Sequence, residues 1–460
     1  MDIFLITIGF PALLWLMGWI MRQPVHGLYA AIFASGILVT PALPIVREKF
    51  AATEILILLT WTAMFMRPTA WKSRWTPLLA SQRQVIFWGL SFITIVTTSF
   101  LVNIPLIPDY AIPGTIVETA NYAYGLLLFI TVLQLVDTWD KWQRCLYAWL
   151  LGTVVVCFFG MWAMKGGAPA WTYDDFSGRI SSTLKFENQV PSFLLPVLAA
   201  SVFLAVLRGI SMQWQIAFAA LSGAIIITLF GTGSRTAFAM LFVCLIGIGF
   251  IALKERRFKS FYFSKLQMTT LLFIGSMVIF TASILTVEQD YLGLGKTPAY
   301  ERPIRMLVDW LEGERTLDET RTVQLEKVGE HYYDNLFLGT GPKLFGVNYQ
   351  VSEIHNTYLS LLVETGVLGL TAFLLWLLSV GHVSWRSLKQ CPSHINRLLG
   401  LSLLVGLFSL IVYGLFMLGL RQRNLWFLTG LLVAIPRVVY AEQVMQLWAK
   451  QQQNMQSVEN

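Results

Sequence analysis

The chain alternates between long apolar stretches and short polar segments over most of its length. Each apolar stretch is close to the roughly 20 residues that a helix needs to cross the hydrocarbon core of a bilayer. About thirteen can be counted, near residues 3–21, 26–46, 50–66, 84–102, 115–136, 144–164, 190–207, 213–230, 235–253, 266–286, 356–385, 397–418 and 424–440. The pattern predicts an all-α integral membrane protein, a polytopic bundle of about 12–13 transmembrane helices.

Composition excludes a soluble fold and leaves the membrane class. Of the 460 residues, 56% are hydrophobic and only 13% are charged, with a mean hydropathy of +0.62. A soluble chain of this length could not bury so much apolar surface. The net charge of +7 comes from basic clusters between apolar stretches, so it does not indicate a nucleic-acid partner.

The basic clusters predict which loops face the cytoplasm, because short cytoplasmic loops carry an excess of Lys and Arg. The clusters lie in loops 67–83, 137–144, 254–265 and 386–397. Alternation then places on the outer face the segments 103–114, 165–189, 231–234 and 287–354. Arg421 and Arg423 fall on the outer side and are exceptions. We expect an even number of spans before residue 67, with both chain ends in the cytoplasm.

The segment 287–354 is the longest polar stretch and contains twelve acidic and seven basic residues. Helical spacing predicts short helices over 302–312 and 318–333, followed by a breaker-rich turn at 339–342. The expected organisation is a transmembrane bundle, a large periplasmic loop, C-terminal transmembrane helices that begin with a histidine, and a cytoplasmic tail, whose polar end over 450–460 we expect to be frayed. The corresponding boundaries are 1–286, 287–354, 355–445 and 446–460.

His355 lies where the polar loop meets the apolar run. A helix beginning there would place it on the first turn, on one face with Tyr358, Leu359 and Leu362. The positive end of a helix disfavours imidazolium, and a neutral histidine can accept a proton. The alternative is a histidine that merely caps the helix, and the spacing does not decide between the two.

Three arginines on the predicted outer side stand apart from the cytoplasmic clusters: Arg179, Arg235 and Arg321. A planar guanidinium suits phosphate oxygens. A solvated loop charge is the alternative for Arg179 and Arg321. Arg235 follows a Gly-Thr-Gly-Ser turn at an apolar boundary, where an arginine is costly unless it is paired, hydrated or functional. With His355, these residues suit an anionic, membrane-bound leaving group and a hydroxyl acceptor.

Metal chemistry is not predicted. The four cysteines and five histidines are scattered along the chain, without the spacing of metal ligands or of a disulfide framework. We therefore expect no cofactor.

The motifs together resemble the O-antigen ligase/polymerase superfamily over about residues 176–385. Ser234-Arg235 precedes a span, and Arg321 lies in a large outer loop. The further matching strings are Gly339-Thr-Gly341-Pro342, His355-Asn356-Thr-Tyr358-Leu359 and Glu364-Thr-Gly366-Val-Leu-Gly369. One departure is that the segment after Arg179 lacks the glycine and the Asn-Pro-Asn-like turn that are usual in the family.

The resemblance implies an inverting, metal-independent glycosyltransferase in the bacterial inner membrane, with its active site facing the periplasm. Its donor would be an undecaprenyl-diphosphate-linked glycan. Arg179, Arg235 and Arg321 would hold the diphosphate, and His355 would act on the acceptor hydroxyl. Supporting residues would be Ser234, Asn356, Tyr358 and Glu364, although Glu364 could equally pack or cap a helix.

The acceptor stays open at this point. A ligase, which we prefer, transfers the glycan onto a lipid A–core sugar, and a polymerase transfers it onto a growing polysaccharide. A protein O-oligosaccharyltransferase would use Ser or Thr. A flippase or transporter of lipid-linked glycans is a hypothesis from a different class. It would need charged residues deep in the membrane or inverted repeats, and neither is evident in the sequence.

Overall fold

The computed structural model describes residues 11, 14–37, 52–66, 78–173, 179–184, 186–207, 209–255, 319–351 and 354–459. These residues are mostly helical, and an isolated bridge between Tyr173 and Ile180 is the extended pairing found among them. The prediction of an all-α membrane bundle is confirmed.

Thirteen α-helices are numbered in chain order over the described residues. They are α1 (Val25–Ala34), α2 (Ala52–Phe65), α3 (Ala80–Asn103), α4 (Ile112–Leu135), α5 (Trp139–Met164), α6 (Gln189–Val206), α7 (Met212–Gly231), α8 (Arg235–Glu255), α9 (Glu319–His331), α10 (Leu344–Asn348), α11 (Thr357–Lys389), α12 (His394–Gly414) and α13 (Arg423–Glu459). Residues 14–22 are also helical, and short 3-10 turns cover Ile104–Leu106 and Ala170–Thr172.

Nine helices in the described part of the chain are long and apolar enough to cross a membrane, namely α3 to α8 and α11 to α13. Helices α1 and α2 are apolar but shorter, at 10 and 14 residues. The predicted span 266–286, and parts of the spans 3–21 and 26–46, lie outside the described residues. The total of 12–13 spans therefore stays a prediction.

Contacts between connecting segments divide the helix ends into two groups. In the group that we call the His355 end, Asn356 Nδ2 donates to Leu415 O at 2.9 Å, and Tyr413 OH donates to Asn188 O at 2.9 Å. In the opposite group, the Lys254 end, Gln143 Nε2 donates to Asn396 Oδ1 at 2.7 Å. Loops that the basic clusters predict on opposite sides thus lie at opposite ends.

Helix α13 lies at the centre of the bundle, and 89% of its most apolar 18-residue stretch is buried. Trp142 Nε1 donates to the Leu431 carbonyl at 2.9 Å, which ties α5 to α13. Gly125 on α4 gives room for the Trp426 ring, because an added Cβ would overlap it. The same helix continues to Glu459, so the expectation of a frayed tail over 450–460 is wrong for all but its last residue, which lies outside the described part. The sequence of this segment is polar but free of glycine and proline, so it can continue a helix beyond the membrane.

Arg421 and Arg423, the exceptions to the charge rule, are paired with carboxylates. Arg421 Nε donates to Glu118 Oε1 at 2.6 Å, and Arg423 Nε donates to Glu54 Oε1 at 2.8 Å. The Glu118 side chain is only 4% exposed. Because an arginine at a membrane boundary is costly unless it is paired, these ion pairs stabilise both guanidinium groups at their positions.

Candidate functional site

Arg179 is fixed by three side-chain hydrogen bonds. Its Nη1 contacts Glu187 Oε1 at 2.7 Å, its Nη2 contacts Asn188 Oδ1 at 3.1 Å, and its Nε contacts the Thr232 carbonyl at 2.7 Å. The side chains of Arg179 and Glu187 are 14% and 11% exposed. In this conformation the guanidinium is engaged by the protein and holds two segments together.

The turn that Arg179 contacts is the one that precedes Arg235. Helix α7 ends at Gly231, and Gly233 takes a φ of +54°, a left-handed conformation that glycine adopts without strain. Ser234 Oγ donates to Asn188 Oδ1 at 3.0 Å. The structure therefore places Arg179 beside Ser234 and beside the first residue of α8, which is Arg235.

The ion pair between Arg179 and Glu187 supplies the first prediction. Glu187→Ala leaves a nearly buried guanidinium without its carboxylate, and we expect a loss of about 3–5 kcal/mol in the free energy of unfolding. The measurement is the thermal unfolding of the detergent-solubilised protein.

The matched control for Glu187→Ala is Asp140→Ala. Asp140 pairs with Arg144, and these side chains are 65% and 58% exposed, so about 0–1 kcal/mol is expected. Equal destabilisation by the two substitutions would contradict the structural role of Arg179.

The structure corrects the prediction that His355 lies on the first turn of a helix. Helix α11 begins at Thr357, and its N-cap is Asn356, whose Oδ1 accepts from Tyr358 N at 2.9 Å and Leu359 N at 3.0 Å. Asparagine is a better N-cap than histidine because its short side chain reaches these amides. His355 precedes the cap, is exposed, and does not share a helical face with Tyr358. The N-cap position of α11 is thus occupied by Asn356 and not by His355.

The last loop at the His355 end holds the start of α11. Asn356 Nδ2 donates to Leu415 O at 2.9 Å. Thr357 Oγ1 donates to Met417 O and accepts from Gly419 N, each at 2.7 Å. Tyr358 OH donates to Ile411 O at 2.7 Å. Asn356 and Tyr358, two of the predicted supporting residues, thus hold the chain next to His355 in place through bonds to Leu415 and Ile411.

Helix α9 confirms the helix predicted over 318–333 and carries Arg321. Its Gln324 is 4% exposed, and the Gln324 Oε1 atom accepts from the His355 backbone N–H at 3.4 Å. Arg321 stands three residues before Gln324, one turn away on the same helical face. This contact brings the arginine helix to the histidine. The helix predicted over 302–312 lies outside the described residues.

A small polar cluster fixes the segment that follows α9. The His331 ring stacks on Tyr349 with centroids 4.0 Å apart, and Tyr349 OH donates to Asp334 Oδ2 at 2.6 Å. This hydrogen bond holds the pKa of the Asp334 carboxyl below its usual range, while burial raises the pKa of Tyr349 to about 12. His331 therefore has a structural environment that is distinct from that of His355.

The two glycine-containing motifs of the sequence contact each other. Helix α11 is interrupted at Gly366, which has φ +68° and ψ −175°. The segment 336–341 pairs with the break: Thr340 N donates to Val363 O at 2.8 Å, Gly341 N to Glu364 O at 2.9 Å, and Val367 N to Leu336 O at 2.8 Å. Backbone groups freed inside the bundle are thus satisfied by another part of the protein, as a membrane protein requires.

Glu364 lies at this break with 8% of its surface exposed. Besides Gly341, its carbonyl accepts from Ser99 Oγ at 2.8 Å. Tyr122, one turn after Glu118 on α4, interacts electrostatically with both Glu118 and Glu364. Glu118 itself is paired with Arg421.

Sequence reasoning missed several residues that hold the site. Gln324, Asn188 and the pair Glu118–Arg421 carried no motif. A carboxylate within an apolar run was the signal available for Glu118.

Comparison with protein families matches residues 216–374 to the family described as O-antigen ligase. Over these residues, about a third of the chain, the protein is similar to the O-antigen ligase family. Comparison with curated proteins gives no match.

The O-antigen ligase match runs from α7 to the middle of α11. It includes Arg235, Arg321, His355 and Glu364, whereas Arg179 lies before it. It supports a glycosyltransferase of the O-antigen ligase/polymerase type, and the apolar helices make the protein a multi-pass membrane protein.

Proposed function

We propose that the protein is an inner-membrane, inverting glycosyltransferase that moves an undecaprenyl-diphosphate-linked glycan onto an acceptor hydroxyl at the periplasmic face. The observation that carries the proposal is the placement of His355. His355 is exposed, and the N-cap of α11 is its neighbour Asn356. Gln324 accepts a hydrogen bond from the His355 backbone, which holds His355 beside α9, the helix that carries Arg321. All of these residues lie within the family match.

The proposed reaction is a single displacement without metal or cofactor. The acceptor hydroxyl gives its proton to the His355 ring while its oxygen bonds to the anomeric carbon. The bond from that carbon to the diphosphate oxygen breaks, so the configuration inverts. Arg235 and Arg321 stabilise the charge that develops on the leaving diphosphate. Arg179 contributes through the turn that it holds, since its own guanidinium is bound to Glu187 and Asn188.

We propose a ligase acting on lipid A–core as the first acceptor assignment, with a polymerase of surface polysaccharide second and a protein O-oligosaccharyltransferase third. The deciding experiment deletes the gene and separates the surface glycans on a gel. Absence of all glycan on lipid A, with lipid-linked polymer accumulating, supports the ligase. A single repeat on lipid A supports the polymerase, and unchanged lipid A glycans with unglycosylated proteins support the third activity.

A flippase or transporter is the less favoured class. Its substrate site would lie near the membrane midplane. The buried ion pairs of Arg421 and Arg423 instead involve residues at helix ends. Glu54 and Glu118 lie in the first two turns of their helices, Arg423 is the first residue of α13, and Arg421 lies two residues before it. This placement favours chemistry at one membrane face.

Sidedness yields the second prediction. Asp109 is exposed at the His355 end, and Arg144 is exposed at the Lys254 end. Because the four native cysteines are buried, Asp109→Cys should react with an impermeant thiol reagent in cells with a permeabilised outer membrane. Arg144→Cys should react after the inner membrane is also opened. The reverse order of labelling would contradict a periplasmic site.

The third prediction concerns the arginines. If Arg235 and Arg321 bind diphosphate as planar forks, lysine should replace them poorly although the charge is kept. Loss of one charge-assisted contact is typically worth about 1.5–3 kcal/mol, or about ten- to a hundredfold in transfer rate. A purified transfer assay measures this effect.

Arg144→Lys at the opposite end is the control and should leave the rate unchanged. Wild-type rates for both Arg321→Lys and Arg321→Ala would assign Arg321 to the loop surface.

A further inference from the structure

An apolar groove opens on the bundle surface towards the Lys254 end. It lies between α8, α11 and α12, away from the residues assigned to transfer. Its walls are lined by Val243, Gly247, Phe250, Leu404, Val405 and Phe408. Gly247 lets α8 approach α12 closely, because a Cβ there would come within 2.7 Å of Val405 Cγ1.

The mouth of this groove is basic. Lys254 Nζ lies 4.5 Å from the centroid of the Trp385 ring, and Lys389 Nζ lies 5.2 Å from the same centroid. Trp385 and Lys254 themselves line the groove. Within the described part of the chain, neither lysine forms an ion pair with a carboxylate. Two ammonium groups around one indole ring therefore place positive charge at the end of an apolar channel.

The length of the groove matches one leaflet. Its lining on α8 extends from Val243 to Lys254, about 16 Å at 1.5 Å per residue. This is about half of the ~30 Å hydrocarbon core. An acyl chain of one leaflet fits this length, whereas a polyprenyl chain is several times longer.

We propose that the groove binds one acyl chain of an anionic phospholipid whose phosphate lies between Lys254 and Lys389. Trp385 would contact the glycerol region, where amphipathic aromatic rings prefer to lie. The lipid belongs to the leaflet at the Lys254 end. The inference is independent of the proposed transfer reaction, whose residues lie at the His355 end.

The test uses purified, delipidated full-length protein and two lipids with matched acyl chains, phosphatidylglycerol and phosphatidylcholine. Native mass spectrometry counts retained lipid over a titration. We expect phosphatidylglycerol to bind more tightly. We expect Lys254→Gln and Lys389→Gln each to weaken its binding about fivefold, as for one basic residue at a charged membrane surface.

Two further variants separate the groove from general surface charge. Leu404→Trp fills the channel and should abolish phosphatidylglycerol retention, and Val243→Phe serves the same purpose if the first variant does not fold. Lys141→Gln is the matched control. Lys141 lies at the same end, two residues before Gln143, and already pairs with Asp137 at 2.7 Å, so it should have no effect.

A second readout locates the bound chain. Phosphatidylglycerol with brominated acyl chains should quench the fluorescence of the wild type more than that of Trp385→Phe. Equal retention of both lipids would overturn the proposal, as would displacement by inorganic phosphate alone. Preferential displacement by undecaprenyl phosphate would also overturn it and assign the groove to the lipid carrier. An equal loss of phosphatidylglycerol binding in Lys141→Gln would show that general surface charge, and not the groove, accounts for the effect, and would overturn the proposal.

Discussion

Replacement of His355 by glutamine is expected to lower glycan transfer about 10²–10⁴-fold, the usual contribution of a positioned general base. Glutamine keeps hydrogen-bonding groups at the position but does not take up the proton at neutral pH. The folded protein should be unaffected, because the side chain is exposed and the N-cap of α11 is the neighbouring Asn356. The measurement is transfer by purified protein, together with complementation of a deletion strain.

Two controls accompany this substitution. His382→Gln exchanges an exposed histidine near the Lys254 end of the same helix and should be silent. Asn356→Ala removes the helix cap, at a cost of about 1 kcal/mol, and also the bond to Leu415. His331 is less suitable as a control, because its ring stacks on Tyr349.

Donor binding distinguishes the possible outcomes. His355→Gln should still bind the lipid-linked donor, since the arginines are unchanged. Retention of most activity in His355→Gln would mean that the proton leaves by another route. His355 would then only orient the acceptor.

The class of fold was predictable because membrane helices are specified locally. Each span from α3 to α8 lies within about five residues of the apolar run that predicted it. The interruption of α11 was not predictable from this pattern, because the apolar run is continuous through Gly366. The break depends on a partner segment, 336–341, that supplies the missing backbone hydrogen bonds.

In the candidate site, too, some residues could be predicted from the sequence and others could not. The histidine and the arginines stand out in the sequence, because charged groups at apolar boundaries are rare. Their neighbours do not. Glu118 and Arg421 are 303 positions apart in the chain and still form an ion pair at 2.6 Å. The start of α11 was misplaced by two residues, since His355 and Asn356 are both polar and only the backbone geometry distinguishes the N-cap from the residue before it.

Gly366 is expected to be as important for activity as the charged residues. Its φ and ψ fall in a region that is essentially restricted to glycine, where other residues pay about 1–3 kcal/mol. A Cβ would also overlap the carbonyl group of Phe337. Gly366→Ala should therefore expel the segment 336–341 from the break, leaving the backbone of Val363 and Val367 unsatisfied.

This expulsion should reach the catalytic residues through the chain itself. The segment 336–341 follows α9, the helix of Arg321 and Gln324, so its docking fixes that helix beside His355. We expect Gly366→Ala to lose most transfer activity and to unfold at a lower temperature in detergent. Gly381→Ala is the matched control: it lies in the same helix, and a Cβ there meets nothing within 4 Å. Alanine is the better helix former by about 0.5–1 kcal/mol, so this control should be neutral or slightly stabilising. Equal behaviour of the two variants would show that the break in α11 does not position the site.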